Sequence, residues 1–268
     1  MKFKDQLAKA TRLPRNILPS SYQILGKVLL LKLNTKALKE KKKIASAILK
    51  IFPHIKTVAL QKGISGELRK PSVEILAGKG LTEITHNELG CSFNLDITKV
   101  MWSKGNHFER SRLVNLVRPG ELIVDLFAGI GYFSLILAKH TKASRIICLE
   151  KNPDSFSYLV DNIVLNKLHN VTAIEDDCRN FALKKKKADR ILMGYFPNTI
   201  KFLPAAMKLA KEGTVMHYHD LTTDPKKLAL KIKRAAKGRV KILNVREVKK
   251  YSPSKRHYVF DLQVTRTA

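Results

Sequence analysis

The stretch Asp125-Leu126-Phe127-Ala128-Gly129-Ile130-Gly131-Tyr132-Phe133 decides how the rest of the chain is read. It follows an apolar run, Leu122 to Val124, that reads as a buried strand, and it opens an apolar helical run from Tyr132 to Lys139. Two glycines one residue apart let the backbone turn without a Cβ clash and approach a ligand closely. The helix start that follows is expected to offer unpaired N–H groups to a carboxylate or phosphate. Farther on, Glu150 closes a second apolar run, Ile146 to Leu149, where an acid suits a ribose diol.

The pattern is D-x-F-A-G-x-G, without the third glycine of the dinucleotide fingerprint G-x-G-x-x-G. An Asp leads the turn instead. That carboxylate suits the cationic ammonium group of a methionine and repels a pyrophosphate, so S-adenosylmethionine is expected ahead of NAD or a ligand-free turn.

Lys and Arg number 51 against 22 Asp and Glu in 268 residues, a formal charge of +29 that points to a polyanionic partner, nucleic acid first. A membrane surface is the rival, but no apolar stretch of about 18 residues and no signal-peptide core occur. A cytoplasmic protein is expected. Cys91, Cys148 and Cys178 are odd in number and widely spaced, which disfavours a disulfide framework or a C-x-x-C metal knuckle.

Along the chain, Met1 to Arg15 reads as a short basic helix ending before Pro14, Gln23 to Leu33 as a strand, and Lys36 to Ile51 as an amphipathic helix. Short strands follow at Ile55 to Gln61, Val73 to Ala77, Leu81 to Thr85 and Cys91 to Asp96, giving a small α+β domain over residues 1–99. Residues 100–268 alternate helix and strand. Helices are expected at Phe108 to Val117, Ser155 to Asn166, Pro204 to Ala210 and Pro225 to Ala236. Further strands are expected at Val171 to Ile174, Arg190 to Met193 and Thr214 to Tyr218. The last two, Val240 to Val248 and Tyr258 to Val264, are joined so closely that they must run antiparallel. This is the α/β plan of a Rossmann-like S-adenosylmethionine-dependent transferase, a mostly parallel sheet ending in an antiparallel hairpin. In such sheets the ligand sits at the carboxyl ends of the strands, where Asp125, Glu150, Asp177 and Gly194 all fall.

Asp177 can accept the adenine amino group, with the Cys178 backbone N–H serving a ring nitrogen; helix capping is the plainer role and is compatible with it. The basic run Lys184 to Lys187 reads as solvated surface. His217 and His219 share one strand face but lack a further nearby ligand, so a buried structural role is expected ahead of metal binding. The segment Met101 to Arg110 joins the two domains and carries polar residues suited to reach a cofactor and a bound nucleotide.

Four motifs together carry a family resemblance: Arg69-x-Pro71, Glu83-x-x-His86-x-Glu88-x-Gly90, Ser103-Lys104-Gly105-Asn106-x-x-Glu109-Arg110, and Asp125-x-Phe127-Ala128-Gly129-x-Gly131-x-Phe133. With Lys249-x-Tyr251-x-Pro253, the chain resembles over nearly its whole length the archaeal and eukaryotic tRNA-modifying enzymes that comprise the guanosine-37 N1-methyltransferase and its relative in wybutosine synthesis. The relative is an aminocarboxypropyltransferase acting on the tricyclic base beside the anticodon of phenylalanine tRNA. The resemblance implies a seven-stranded Rossmann-like domain, S-adenosylmethionine as cofactor, tRNA as partner, no metal, and a monomer. The additional N-terminal domain often carried by the methyltransferase branch is expected to be missing.

Two departures decide the branch. Methyltransferases of the family carry Asn at the fourth strand end, in Asn-(Leu/Pro)-Pro, where this chain has Gly194-Tyr195-Phe196-Pro197, and S-P-R where it has Ser103-Lys104-Gly105. Both resemble the aminocarboxypropyltransferase branch. Losing the Asn removes a side chain that holds a guanine edge and frees volume beside the sulfonium. The resemblance further implies Ser103 and Arg110 as cofactor contacts, with Arg110 pairing the carboxylate. It implies Phe127, Gly129 and Gly131 in the cofactor turn. Arg69 and Glu109 match the family's catalytic Arg and Glu, Glu109 as general base and Arg69 stabilising negative charge on the base, or else they form an interdomain salt bridge. Two alternatives stand beside this reading: a guanosine N1-methyltransferase, and an RNA-binding protein with a vestigial cofactor pocket.

Overall fold

The protein is described by a computed structural model at residues 2–184 and 186–266; Lys185 of the basic run lies outside the described residues. The chain forms two compact units, Met1–Glu88 with Ser92–Lys104, and Leu89–Cys91 with Gly105–Ala268.

In the first unit, α1 (Phe3–Thr11) ends on Arg12 in the left-handed conformation, ahead of Pro14. The strand expected from Gln23 to Leu33 is instead two antiparallel strands, β1 (Tyr22–Leu25) and β2 (Val28–Leu31). Gly26 makes the turn at φ 52°, where an added Cβ would fall 2.9 Å from the Thr85 carbonyl oxygen. Apolar residues flank that turn on both sides, so hydropathy does not mark it. The helix expected from Lys36 to Ile51 likewise breaks into α2 (Thr35–Leu38), capped by the Asn34 side chain, and α3 (Lys41–Ile51). Next come β3 (Thr57–Ser65) and β4 (Lys70–Gly78), completing a sheet of order β1-β2-β3-β4. Leu7, Leu29, Ile44, Ile48 and Val58 centre its core. A separate ribbon pairs β5 (Glu83–Glu88) with β6 (Cys91–Asp96).

The second unit opens with α4 (His107–Val114) and continues β7 (Leu122–Asp125), α5 (Ser134–His140), β8 (Arg145–Glu150), α6 (Pro153–Leu165) and β9 (Val171–Glu175). It closes with β10 (Ala188–Met193), α7 (Leu203–Leu209), β11 (Ala210–Thr222), α8 (Pro225–Ala235), β12 (Val240–Lys250) and β13 (Arg256–Val264). The strands form one 7-stranded sheet of order β12-β13-β11-β10-β7-β8-β9. Strands β7 to β11 pair in parallel, and β13 joins antiparallel to both β11 and β12, the expected α/β arrangement. Val124, Leu126, Leu149, Ile191, Met193, Met216 and Phe260 build its main core. All three cysteines are free and buried. Among the described residues no helix is long and apolar enough to cross a membrane.

A chain of buried charges runs between α4 and the sheet. Arg112 grips Glu109 with two N–H donors at 2.9 and 2.7 Å and Asp261 with two more at 2.7 and 2.9 Å. Asp261 Oδ1 lies 2.6 Å from His217 Nδ1, and Arg190 Nη1 lies 2.6 Å from His217 Nε2. An arginine can only donate, so His217 accepts at Nε2 and donates from Nδ1 to Asp261: a neutral tautomer. Burial, which lowers the His217 pKa, acts in the same sense. Arg190 also pairs with Glu121 at 2.7 and 2.9 Å. His219 Nδ1 meets His257 Nε2 at 2.9 Å, so both histidines of the H-x-H pair are engaged in the fold. Among the described residues no three metal-ligating side chains converge.

Removing one partner from a buried ion pair leaves an uncompensated charge. Arg112→Met is therefore expected to cost about 3–5 kcal/mol of stability, read from urea denaturation. A loss within experimental error would show that Glu109 and Asp261 do not depend on it.

Candidate functional site

Strand β7 ends on Asp125, β8 on Glu150 and β10 one residue before Gly194, while Asp177 lies two residues past the end of β9. The sheet order places them side by side as Gly194, Asp125, Glu150, Asp177 along one carboxyl edge. Neighbouring strands are about 4.8 Å apart, so the row has the length of a nucleoside with a short chain attached.

The glycine turn is held from below and from the side. Asp125 is fully buried: its Oδ2 accepts the Ser134 hydroxyl at 2.5 Å and its Oδ1 the Phe127 N–H at 3.2 Å. Burial raises its pKa to about 6. The carboxylate expected to face a methionine ammonium thus faces inward and braces the turn. The N–H groups expected to be unpaired are also engaged. That of Gly129 donates to Glu150 Oε2 at 2.7 Å, and those of Gly131 and Tyr132 to the Ala128 carbonyl at 2.9 and 3.3 Å. Helix α5 starts later than expected, at Ser134. Gly129 and Gly131 take φ 58° and 94°, and a Cβ on Gly131 would land 1.4 Å from Leu135 Cδ1.

Glu150 is the open acceptor of the turn. Its Oε1 takes the Asn152 N–H at 2.7 Å, and with the Gly129 and Lys151 backbone bonds the carboxylate still keeps acceptor capacity for a hydroxyl. Burial raises its pKa, against the backbone bonds that lower it. Beside it, Phe127 stacks on Tyr195 at 5.0 Å between centroids and meets Phe202 edge-on at 4.8 Å. This apolar wall was not foreseen. Its one sequence signal is the pair of aromatics directly after a strand end, at Tyr195 and Phe196.

Asp177 accepts the Arg179 N–H at 3.0 Å, the Arg179 guanidinium at 2.8 and 2.5 Å, and lies 3.1 Å from Lys151 Nζ. Among the described residues no helix follows before β10, so Asp177 braces the turn over residues 178–180 and caps no helix, and Arg179 foremost holds the carboxyl well below the usual range. Cys178 is buried, which pushes its thiol up to about 12 and leaves only its backbone for ligand contact. A Cβ on Gly194 would lie 3.2 Å from Phe133 Cε2, and Phe133 packs edge-on against His219.

Glu109 is 1% exposed and both its oxygens are taken by Arg112. This pair lies within α4 and is not the interdomain salt bridge expected as the alternative to catalysis; action as a base requires release from Arg112. Arg110 is equally buried, its guanidinium 5.9 Å from the centre of the Tyr132 ring, beside the glycine turn. Ser103 and Arg69 belong to the first unit. Arg69 sits in the β3–β4 turn at φ 54°, with Nη2 3.7 Å from Met101 Sδ.

The raised pKa of Asp125 gives a pH signature. The folded state holds this proton more tightly than the unfolded chain, so the group's contribution to stability rises as pH falls from about 6 toward 4. Asp125→Asn is expected to remove a rise on the order of 2–3 kcal/mol, measured as the wild-type minus variant stability across that range. A pH-independent difference would place the carboxylate in solvent.

Residues 84–243 match the family described as the TRM5/TYW2 methyltransferase domain, and residues 4–81 the TYW2 N-terminal domain. Over 209 residues the chain is 44% identical to the tRNA(Phe) (4-demethylwyosine(37)-C(7)) aminocarboxypropyltransferase of Methanocaldococcus jannaschii, covering 76% of this chain and 83% of that one. The structure of Pyrococcus horikoshii TYW2 in complex with MeSAdo superposes with a TM-score of 0.85 at 35% identity, covering 99% of this chain and 100% of that one. That of aTrm5 with tRNALeu gives 0.89 at 30%, covering 99% and 78%. The fold is thus common to both branches. On family matches that span both units and a carboxyl edge bearing the D-x-F-A-G-x-G turn, this chain belongs to the TRM5/TYW2 family.

Proposed function

We propose that this protein transfers the 3-amino-3-carboxypropyl group of S-adenosylmethionine to the tricyclic 4-demethylwyosine base at position 37 of phenylalanine tRNA, releasing methylthioadenosine. It acts as a cytoplasmic monomer, with residues 1–99 on the RNA side and 100–268 as the catalytic domain. The observation that carries the choice of branch is Gly194, a strand end without a side chain where the methyltransferase pattern has Asn, in a chain 44% identical to an aminocarboxypropyltransferase.

The edge of the sheet fits the cofactor. Glu150 keeps acceptors for the ribose hydroxyls, Phe127 and Tyr195 offer an apolar wall to the adenine, and the Cys178 backbone and Asp177 stand at its polar edge. Gly129 and Gly131 let the turn pack closely, since a Cβ at either would strike Tyr132 or Leu135. Asp125 supports that turn from within. Arg110 and Ser103 hold the methionine carboxylate end. Bound there, the cofactor supplies a sulfonium whose γ-carbon, when aligned with the ring-carbon nucleophile, joins it as the carbon–sulfur pair leaves on sulfur. Reacting atoms must stand about 3–3.5 Å apart and in line, so orientation selects which carbon moves. Arg69 stabilises charge on the base, and Glu109, once released from Arg112, takes the ring proton.

Phenylalanine tRNA carrying the tricyclic base, incubated with carboxyl-labelled and methyl-labelled S-adenosylmethionine in parallel, is expected to take up carboxyl label while methyl label leaves in methylthioadenosine. Methyl label in the tRNA would overturn the reading in favour of a methyltransferase, and label in neither would favour a binding protein. Gly194→Asn is expected to slow aminocarboxypropyl transfer at least 10-fold, because a Cβ already presses on Phe133 at 3.2 Å and the larger amide must enter the cofactor's space. An unchanged rate constant would make Gly194 a lineage marker without steric consequence.

A further inference from the structure

The cations of the second unit are not spread evenly. Residues 225–241, which form α8 and the start of β12, hold eight Lys or Arg and no Asp or Glu. By contrast α6, which packs against β8 and β9, holds Asp154 and Asp161 and no Lys or Arg. In α8 the side chains of Leu228 and Ile232 are buried in the main core, which turns the other faces outward. Helical spacing then sets Lys226 and Lys233 on one side of Leu230, and Lys227, Lys231 and Arg234 on the other. All five are exposed. None of these five side chains makes an ion pair or a hydrogen bond among the described residues.

The helix itself gains little from this charge. Lys226 and Lys227 stand in the first turn, against the helix dipole, and Lys227–Lys231 and Lys231–Arg234, spaced by four and three residues, are like-charged neighbours that repel. A polyanion laid along the face removes both penalties. Helix α8 follows β11, whose end lies on the same carboxyl edge as Gly194, and returns to the start of β12 at the opposite edge. Its cations therefore form a strip about 16 Å long, at about 1.5 Å per residue, that leads away from the candidate site. A helix lying on a membrane turns its apolar face to the lipid, whereas here that face is buried in the core, and Leu230 is the one large apolar side chain α8 exposes. We propose that the exposed face of α8 is a docking surface for the phosphate backbone of the tRNA, engaging the part of the molecule that extends away from the modified nucleotide. The inference rests on the tRNA reading above and extends RNA contact from residues 1–99 to a named face of the catalytic domain.

The test combines Lys227→Gln, Lys231→Gln and Arg234→Gln in the full-length protein and measures its affinity for phenylalanine tRNA between about 50 and 200 mM salt. Each lost phosphate contact flattens the slope of log affinity against log salt by about 0.7–0.9, and the triple variant is expected to flatten it by at least that much. It is also expected to bind S-adenosylmethionine as the wild type does in calorimetry, and to unfold at no lower temperature, since only mutually repelling charges are removed. The charge-keeping pair Lys227→Arg and Lys231→Arg is expected to hold the wild-type slope. A triple variant with the wild-type slope overturns the proposal, and so does a flattened slope in the charge-keeping pair, which would make the effect one of shape and not of charge. Phosphatidylcholine–phosphatidylserine vesicles that sediment the wild type but not the triple variant, with the tRNA slope unmoved, would assign the face to a membrane and overturn it as well. Wild-type protein whose tRNA binding does not respond to salt would instead overturn the functional reading itself.

Discussion

The carboxylate of Glu150 joins two strand ends into one site. One oxygen takes the N–H of Gly129 in the glycine turn after β7, and the other takes the N–H of Asn152 at the start of α6. A buried carboxylate is tolerated only when hydrogen-bonded, and these bonds also fix where its remaining lone pairs point. The turn itself has no slack: Gly131 is packed where a methyl group would overlap Leu135, and Asp125 holds the turn to Ser134 from inside the sheet. The position of the diol-binding acceptor thus follows from close packing of the backbone around one acid.

On the other side of Gly194 the second unit depends on charges instead of glycines. The chain Glu109–Arg112–Asp261–His217–Arg190–Glu121 links α4, β13, β11, β10 and the approach to β7 through hydrogen bonds of 2.6 to 2.9 Å. Its members are satisfied by one another, which makes the network a register lock between α4 and the sheet. Glu109 is one end of that lock. Its engagement gives the residue a structural task that any catalytic one must coexist with.

Both departures from the methyltransferase pattern remove side chains, yet their structural consequences differ. At Gly194 the neighbouring Phe133 ring already stands at contact distance from the missing Cβ, so the vacancy is narrow and bounded by a rigid aromatic. At Gly105 the vacancy is filled by the mobile end of Lys249. Glycine leaves a small bounded space at the first position and admits a lysine side chain at the second.

The order of elements in the second unit, the antiparallel ending and the row of residues at the carboxyl edge were legible in the sequence. They follow from local hydrophobic periodicity and from strand alternation, which are properties of short windows. The motifs around Asp125 and Glu150 were legible for the same reason, being turns with a mechanism. The first unit was read less well: the β1–β2 turn at Gly26 lies within an apolar run and only pairing in the sheet reveals it, while the break before Lys41 falls in a charged stretch that helical spacing spans without interruption. Tertiary structure alone decided that Asp125 faces inward, that Arg112 claims Glu109, and that Lys249 fills the place of a side chain at Gly105. Each is a contact between groups whose partners lie on other elements or are chosen by burial, and a sequence carries residue types and spacings but not the direction in which a side chain is desolvated.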